Sequence, residues 1–382
     1  DRMHMVEDDD GHASTKKNRE AMYAFFQKYL ENPGNPEDLE VEVFEERDLW
    51  VTESGQLSTS LESETLYSLN RKMVKNQHAR LKQLRRSEDF NERAIRVAEE
   101  AKQLSGFQSP GHPGKAVFSG RYVEKDHILE KYLLQGSGDY MLPAALYRPL
   151  EKQAHEVFLF LHGQGMEHAA HKDSLLIRSL LQKGYAVLLF DVPGTGSLGP
   201  GYLKGDAYID NTSFNQWFAG ILTHKSIVGM RAEDILRITH FIENEMGEFK
   251  HISALASGPV GSELLHAAVF NERIQNLVLI QPFLSFADIA ETRDYTPAFI
   301  PSTVAGAIEA YDLPDLMAAL CPRKVLIINP LAADGEPAGD KEKSCFLSYP
   351  NIVYTQKGVK DHFKHVSPGE DQPVYEQILK YL

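Results

Sequence analysis

The spacing of hydrophobic residues changes along the chain, and each change predicts a different kind of element. Residues 2 to 7 alternate as a short strand, Asp8 to Gly11 make an acidic turn, and Ser14 stands where it can cap a helix. That helix carries Met22, Phe25, Phe26, Tyr29 and Leu30 on one face and is stopped by Asn32, Pro33 and Gly34. Residues 41 to 60 read as short strands around Leu49, Trp50 and Val51, with Gly55 as a turn. Two further amphipathic helices follow. One runs from Ser63 to about Ser87 with Leu66, Leu69, Met73, Leu81 and Leu84 on its apolar face; the other covers Asp89 to Leu104 and ends near Gly106.

Strand-like segments at about 116–123, 127–134 and 140–148, joined by short turns such as Gly136 to Gly138, predict an antiparallel meander. From Val157 the apolar runs become continuous: VFLFLH, AVLLFD, HISALA, LVLIQP, KVLIINP and IVYTQ. Helical patterns near 172–183, 224–246, 262–270 and from about 371 separate them. Runs apolar on both faces, alternating with helices, predict an α/β fold with a mainly parallel sheet and helices on both faces. Chemistry in such sheets sits at the carboxyl ends of the strands. The segments to inspect are therefore His162 to Gly165, Asp191 to Gly199, the turn after HISALA, Pro282 to Phe286, Pro330 to Asp340 and Lys357 to Ser367.

Composition narrows the functional classes. A formal net charge of −14 argues against nucleic acid as a partner, since phosphate binding needs clustered Lys and Arg. The basic run from Arg71 to Arg86 reads as a solvated helix face that balances acidic stretches at 37–47 and 88–100. No apolar run approaches the roughly 20 residues of a membrane span. Cys321 and Cys345 make neither a disulfide framework nor a metal motif, and His168 and His171 lack a third ligand nearby, so no metal or cofactor is expected. Gly194 to Gly199 matches G-x-G-x-x-G, but Pro200 and Gly201 follow where a dinucleotide site needs a helix N-terminus.

The most informative stretch is the buried strand Ile252 to Ala256, the Gly/Pro turn Ser257 to Gly261, and the helix opening at Ser262. A strand that bends abruptly into a helix is where an α/β-hydrolase holds its nucleophile, in the pattern G-x-S-x-G. The aligned residues are Ala256, Ser257, Gly258, Pro259 and Val260, so Gly258 occupies the serine position and Ser257 is one residue early. His162, Gly163, Gln164 and Gly165 close the first long parallel strand, either as an oxyanion-stabilising loop or as a simple turn. Asp334 follows KVLIINP, with Glu336 and Asp340 as competing acids. His362 and His365 follow IVYTQ, so acid and histidine stand in the chain order of a hydrolase triad.

These segments, with KSIVGMRAEDILRITHFI and CPRKVLIINPLAADGEP, resemble the acetyl-xylan-esterase-like and dienelactone-hydrolase-like α/β-hydrolases over residues 115–382. VEDDDGHASTKKNREAMYAFFQKYL resembles the last strand, histidine loop and closing helix of the same family, with His12 in the catalytic-histidine position. It also parallels the chain's own end, and counting from the strand in each copy favours His362 over His365. The resemblance implies tandem modules. Residues 1–60 would be the tail of a preceding hydrolase module plus linker, 61–114 a helical connector, and 115–382 a complete domain. It also implies deacetylation of plant polysaccharide such as xylan, and a secreted or periplasmic setting. The expected partners are a small-molecule or polysaccharide ester and the preceding module. The expected catalytic residues are His12, Asp334, His362 and Ser257, with His162, Gly163, Gln164 and Gly258 at the oxyanion site or cleft. With glycine at the elbow, the alternative is a non-catalytic pseudo-hydrolase that binds or scaffolds.

Overall fold

The computed structural model describes residues 2–111, 114–151, 153–199, 208–209, 212–369 and 372–382. They form two compact units, Asp1–Thr65 and Leu66–Leu382.

In the smaller unit, helix Lys16–Tyr29 is capped by Thr15, whose side chain accepts from the backbone N–H of Asn18, rather than by Ser14. Arg19 pairs with Asp38 at 2.6 Å and Tyr23 donates to the same carboxylate at 3.1 Å, which ties the following segment back onto the helix. None of the helix's residues is buried. The strand expected at 2–7 is absent, and Met3 and Met5 are exposed. Alternation gives a strand only when a neighbouring strand takes up its N–H and C=O groups, and the described residues of this unit supply none. Residues 41–60 likewise hold a 3₁₀ turn, Glu46–Leu49, and a short helix, Leu57–Ser60, in place of strands.

The larger unit begins with two helices, the ones expected as a connector, and includes them with the strands that follow. Helix Leu66–Ser87 turns Val74, His78 and Leu81 inward, while Leu66, Leu69 and Met73 of the expected face stay exposed. Helix Phe90–Ser105 starts at Asp89, which accepts from the N–H groups of Asn91 and Glu92, and ends at Gly106 with φ +67°. The basic run is more than a solvated face, because its Arg85 reaches Asp315 at 2.6 Å, where Arg93 of the next helix meets the same carboxylate at 2.7 Å, all three side chains buried.

The sheet strands are β1 (Ala116–Val123), β2 (His127–Gln135), β3 (Met141–Pro149), β4 (Glu156–His162), β5 (Ala186–Phe190), β8 (His251–Ser257), β9 (Ile274–Ile280), β10 (Lys324–Ile328) and β11 (Phe363–Val366). A separate ribbon pairs β6 (Tyr208–Ile209) with β7 (Thr212–Ser213). The nine-stranded sheet has the order β1-β2-β3-β5-β4-β8-β9-β10-β11, antiparallel through β3–β5 and parallel from β5 onward. Period two divides β4 between two cores. Val157, Leu159 and Leu161 face helices Ile227–Glu245 and Gly261–Phe270, while Phe158 and Phe160 face helices Ser174–Gln182 and Val374–Tyr381. Each of these side chains is at most 1% exposed, and full burial of such a group stabilises by about 2 kcal/mol. Among the described residues no helix is long and apolar enough to cross a membrane.

Two elements differ from the pattern reading. The helix near 172–183 is two, Met166–Lys172 and Ser174–Gln182. IVYTQ is not the last strand but the end of helix Asp340–Gln356, and the last strand is β11. Phe346, Leu347, Pro350, Val353 and Tyr354 are buried at helical spacing, so burial on one face outweighs the β preference of Ile352 and Val353 and the break suggested by Pro350.

Candidate functional site

A cavity of about 1000 Å³ opens where β4, β8 and β9 end, walled on the other side by helix Phe214–Leu222 and the turn Pro297–Ser302. His162, Gly163, Gln164, Ser257 and Gly258 all line it. His162 and Ser257 are register partners on adjacent parallel strands, which explains how residues so distant in sequence meet.

The strand-to-helix turn has the geometry of an elbow. β8 ends at Ser257, helix Gly261–Phe270 begins three residues past its apex, and Gly258 takes φ +85°. Its N–H donates to the carbonyl of Ile280 at 2.8 Å and its carbonyl accepts from Gly261 at 3.1 Å, so the turn is held at both ends. A side chain added at Gly258 would meet nothing within 4 Å among the described residues. The residue at the strained apex is therefore Gly258, and Ser257 remains part of the strand.

The loop after β4 spends its N–H groups internally. Gly163 donates to the Ser257 carbonyl at 3.0 Å, Gly165 to the His162 carbonyl at 2.9 Å, Gln164 to His162 Nδ1 at 3.0 Å and Met166 to Asp191 Oδ1 at 2.6 Å. His162, accepting at Nδ1, carries its proton on Nε2, which stands 3.8 Å from Asp173 Oδ2. Burial, and next His168, push His162 down to about 4, so the ring is neutral at pH 7. Asp191 also accepts from the backbone and hydroxyl of Ser197, filling the concavity of the G-x-G-x-x-G turn with the chain's own carboxylate. A 3₁₀ turn, Gly196–Leu198, stands where a nucleotide site would start a helix. Among the described residues no group of three His, Cys, Asp or Glu stands where it could hold a metal ion.

No family model and no curated protein sequence matches the chain. Solved structures do. A putative acetyl xylan esterase from Bacteroides fragilis is 15% identical with TM-score 0.60, over 83% of this chain and 84% of that one. A methylesterase is 16% identical with TM-score 0.57, over 82% of this chain and 66% of that one. A glucuronoyl esterase from Solibacter usitatus is 12% identical with TM-score 0.51, over 75% and 90%. The likeness at these identities is one of fold. The larger unit has the α/β-hydrolase fold.

Set against an α/β-hydrolase's parts, the site lacks three of them. Gly258 gives no nucleophile. The residue after the nucleophile supplies one oxyanion N–H in this fold, and here it is Pro259, which has none. The loop after the last strand should carry the histidine. His362 precedes β11 instead, at the opposite end of the sheet, with its Nδ1 donating to the Pro322 carbonyl at 2.6 Å. His365 lies within β11 beside Ile327, and burial, then Lys343, lower its pKa. Matching the chain's two ends at Val6 and Val366 sets His12 against Gln372, each six residues on. Asp334 stands in an exposed turn after β10, where its Oδ1 accepts from the Glu336 N–H, and it meets no histidine among the described residues. His12 lies in an exposed turn of the smaller unit.

The sequence reading missed a buried pair beneath the cavity. Arg231, from helix Ile227–Glu245, donates through Nε to the Pro193 carbonyl at 2.8 Å and through Nη1 to Glu263 Oε1 at 2.5 Å; Ser302 donates to the same oxygen at 2.9 Å. The one sequence signal was a charged residue set among apolar positions on the inward face of KSIVGMRAEDIL.

Proposed function

We propose that this is a carbohydrate-esterase-type protein in which the unit 66–382 holds a saccharide ligand without cleaving it. The observation that carries the reading is Gly258, an elbow apex with retained geometry and open space but no side chain. The cavity fits a polyhydroxylated ligand. Its polar lining is mostly hydroxyls and amides such as Gln164, Gln216, Gln281, Thr195 and Thr296, with Phe299 as an apolar face. Solved structures of similar fold bear the names acetyl xylan esterase and glucuronoyl esterase, which supports a plant polysaccharide as the ligand's source.

Hydrolysis belongs, on this reading, to a preceding hydrolase module that residues 2–29 complete, with His12 as its histidine. Helix Lys16–Tyr29 buries no residue and leaves Met22 and Phe26 exposed, whereas its counterpart Val374–Tyr381 buries Ile378 and Tyr381. The test uses the chain 1–382 with acetylated xylan and p-nitrophenyl acetate. Binding of xylan oligosaccharides without turnover, and without labelling by a fluorophosphonate, is expected. Turnover lost on Ser257→Ala would refute the reading.

A further inference from the structure

Beyond the binding reading, on which it rests, we infer that the ligand carries a carboxylate that docks on Arg231 while Glu263 takes up a proton. Arg231 is 5% exposed, lines the cavity, and has Nε and Nη1 occupied. Nη2 has no partner among the described residues, and it is not one of the buried polar atoms sealed from solvent. Gly194 keeps that nitrogen accessible, since a side chain there would begin 2.8 Å from it. The result is a guanidinium at the cavity wall, held from two sides and with the N–H groups of Nη2 unclaimed by any described residue, the kind of fork with which arginine recognises planar acid groups.

The charge pattern agrees. The chain carries a net charge of −14, yet the described cavity lining includes Arg231 as its only Arg or Lys and no Asp or Glu at all. A neutral ligand would not require the wall to exclude carboxylates, whereas an anion would be repelled by any of them.

Glu263 supplies the second half of the inference. It is fully buried, its Oε1 takes both donors, and its Oε2 has no partner among the described residues. Two carboxylates sharing one desolvated guanidinium leave an uncompensated negative charge, and a proton from solvent on the bare Oε2 removes it. Facing Glu263 are Arg231 from helix Ile227–Glu245 and Ser302 from the turn Pro297–Ser302. The ionisable neighbour in its own helix is His266, whose two ring nitrogens are both hydrogen-bonded. The proton goes to the acid, the one member of the pair with a lone pair able to accept it.

The experiment is titration calorimetry of the chain 1–382 with D-galacturonate, its methyl ester and D-galactose, between pH 5.5 and 7.5, in buffers of different ionisation enthalpy. The acid should bind at least tenfold tighter than the ester, take up as much as one proton per ligand, and weaken by up to about tenfold per pH unit as pH rises. Glu263→Gln should keep the binding and abolish the uptake. Gly194→Ala should lose binding at least tenfold with an unchanged circular dichroism spectrum. Equal binding of acid, ester and galactose, or binding of the acid with no proton uptake, overturns the inference and leaves the saccharide-binding reading standing. Binding of none of the three also overturns the inference, and if xylan oligosaccharides fail to bind as well, the saccharide-binding reading falls with it.

Discussion

Placing a serine at the elbow apex, Gly258→Ser, separates the geometry of the site from its chemistry. The added Cβ meets no heavy atom of the described residues within 4 Å, so they impose no steric penalty on the substitution. What remains is the backbone. At φ +85° a residue with a Cβ costs roughly 1–2 kcal/mol relative to glycine. With about 2.1 cal/mol/K of unfolding entropy per residue, a unit of roughly 300 residues loses about 2–3 °C in Tm. The new hydroxyl should nevertheless stay inert. A serine without its base loses on the order of a million-fold in rate, and each missing oxyanion donor about a hundred- to a thousand-fold more. Pro259 has no N–H to offer, and the N–H groups of Gly163, Gln164, Gly165 and Met166 are spent on the chain itself. Scanning calorimetry, hydrolysis of p-nitrophenyl acetate and fluorophosphonate labelling of the variant would check both halves. Labelling or turnover that appears with Gly258→Ser and disappears when His162→Gln is added would show that the cavity assembles a base and an oxyanion site, and the reasoning would fail.

Two further outcomes follow from buried charges. Asp315→Ala leaves the buried guanidiniums of Arg85 and Arg93 without their acid and should destabilise the larger unit by about 3–5 kcal/mol in urea unfolding; a loss under 1 kcal/mol would contradict the burial. Burial alone would raise Asp315, but the two arginines overcome it and hold the acid below its ordinary range, so its contribution is complete above the unfolded pKa and is lost as pH falls through the folded one. His266 behaves in the opposite chemical sense. Burial pushes it down to about 4, although its bond to the Ser262 carbonyl opposes the shift. The unfolded chain therefore binds this proton first, and stability should be full above about pH 6.5 and fall by as much as about 1.4 kcal/mol per pH unit toward pH 4. Unfolding free energies measured across that window should give a flatter slope for His266→Gln.

The meander and the parallel strands were legible because their apolar runs match what burial on one or both faces requires. Ala186–Phe190 and Ile252–Ser257 are buried throughout, as continuous runs predict. Helix Phe90–Ser105 was legible through its ends, Asp89 and Gly106, where local chemistry decides. Reading failed where a partner decides. Residues 2–7 alternate correctly for a strand but have nothing beside them, and residues 351–356 have strand-like composition but belong to a helix whose inward face begins at Phe346. That second error moved the histidine. Once β11 is the last strand, His362 falls at its amino end and the loop that should hold the base presents Gln372.

The strand-to-helix turn and the glycine at its apex were legible in the sequence, but the side chains that line the cavity around it were not. A motif is read from neighbouring residues, whereas Arg231 and Glu263 lie on different helices and meet only because helices Ile227–Glu245 and Gly261–Phe270 pack on the same face of the sheet. Nothing in the sequence spacing marks them as partners. The same holds for the spent N–H groups after β4: glycines at 163 and 165 announce a loop able to stabilise an oxyanion, and only the hydrogen bonds show that the loop is closed on itself. The left-handed apex at Gly258, the cavity of about 1000 Å³ and the buried Arg231 at its wall come from three separate elements, whereas the N–H groups of Gly163, Gln164, Gly165 and Met166 are all taken up by the chain itself, which is the observation behind the binding reading proposed above.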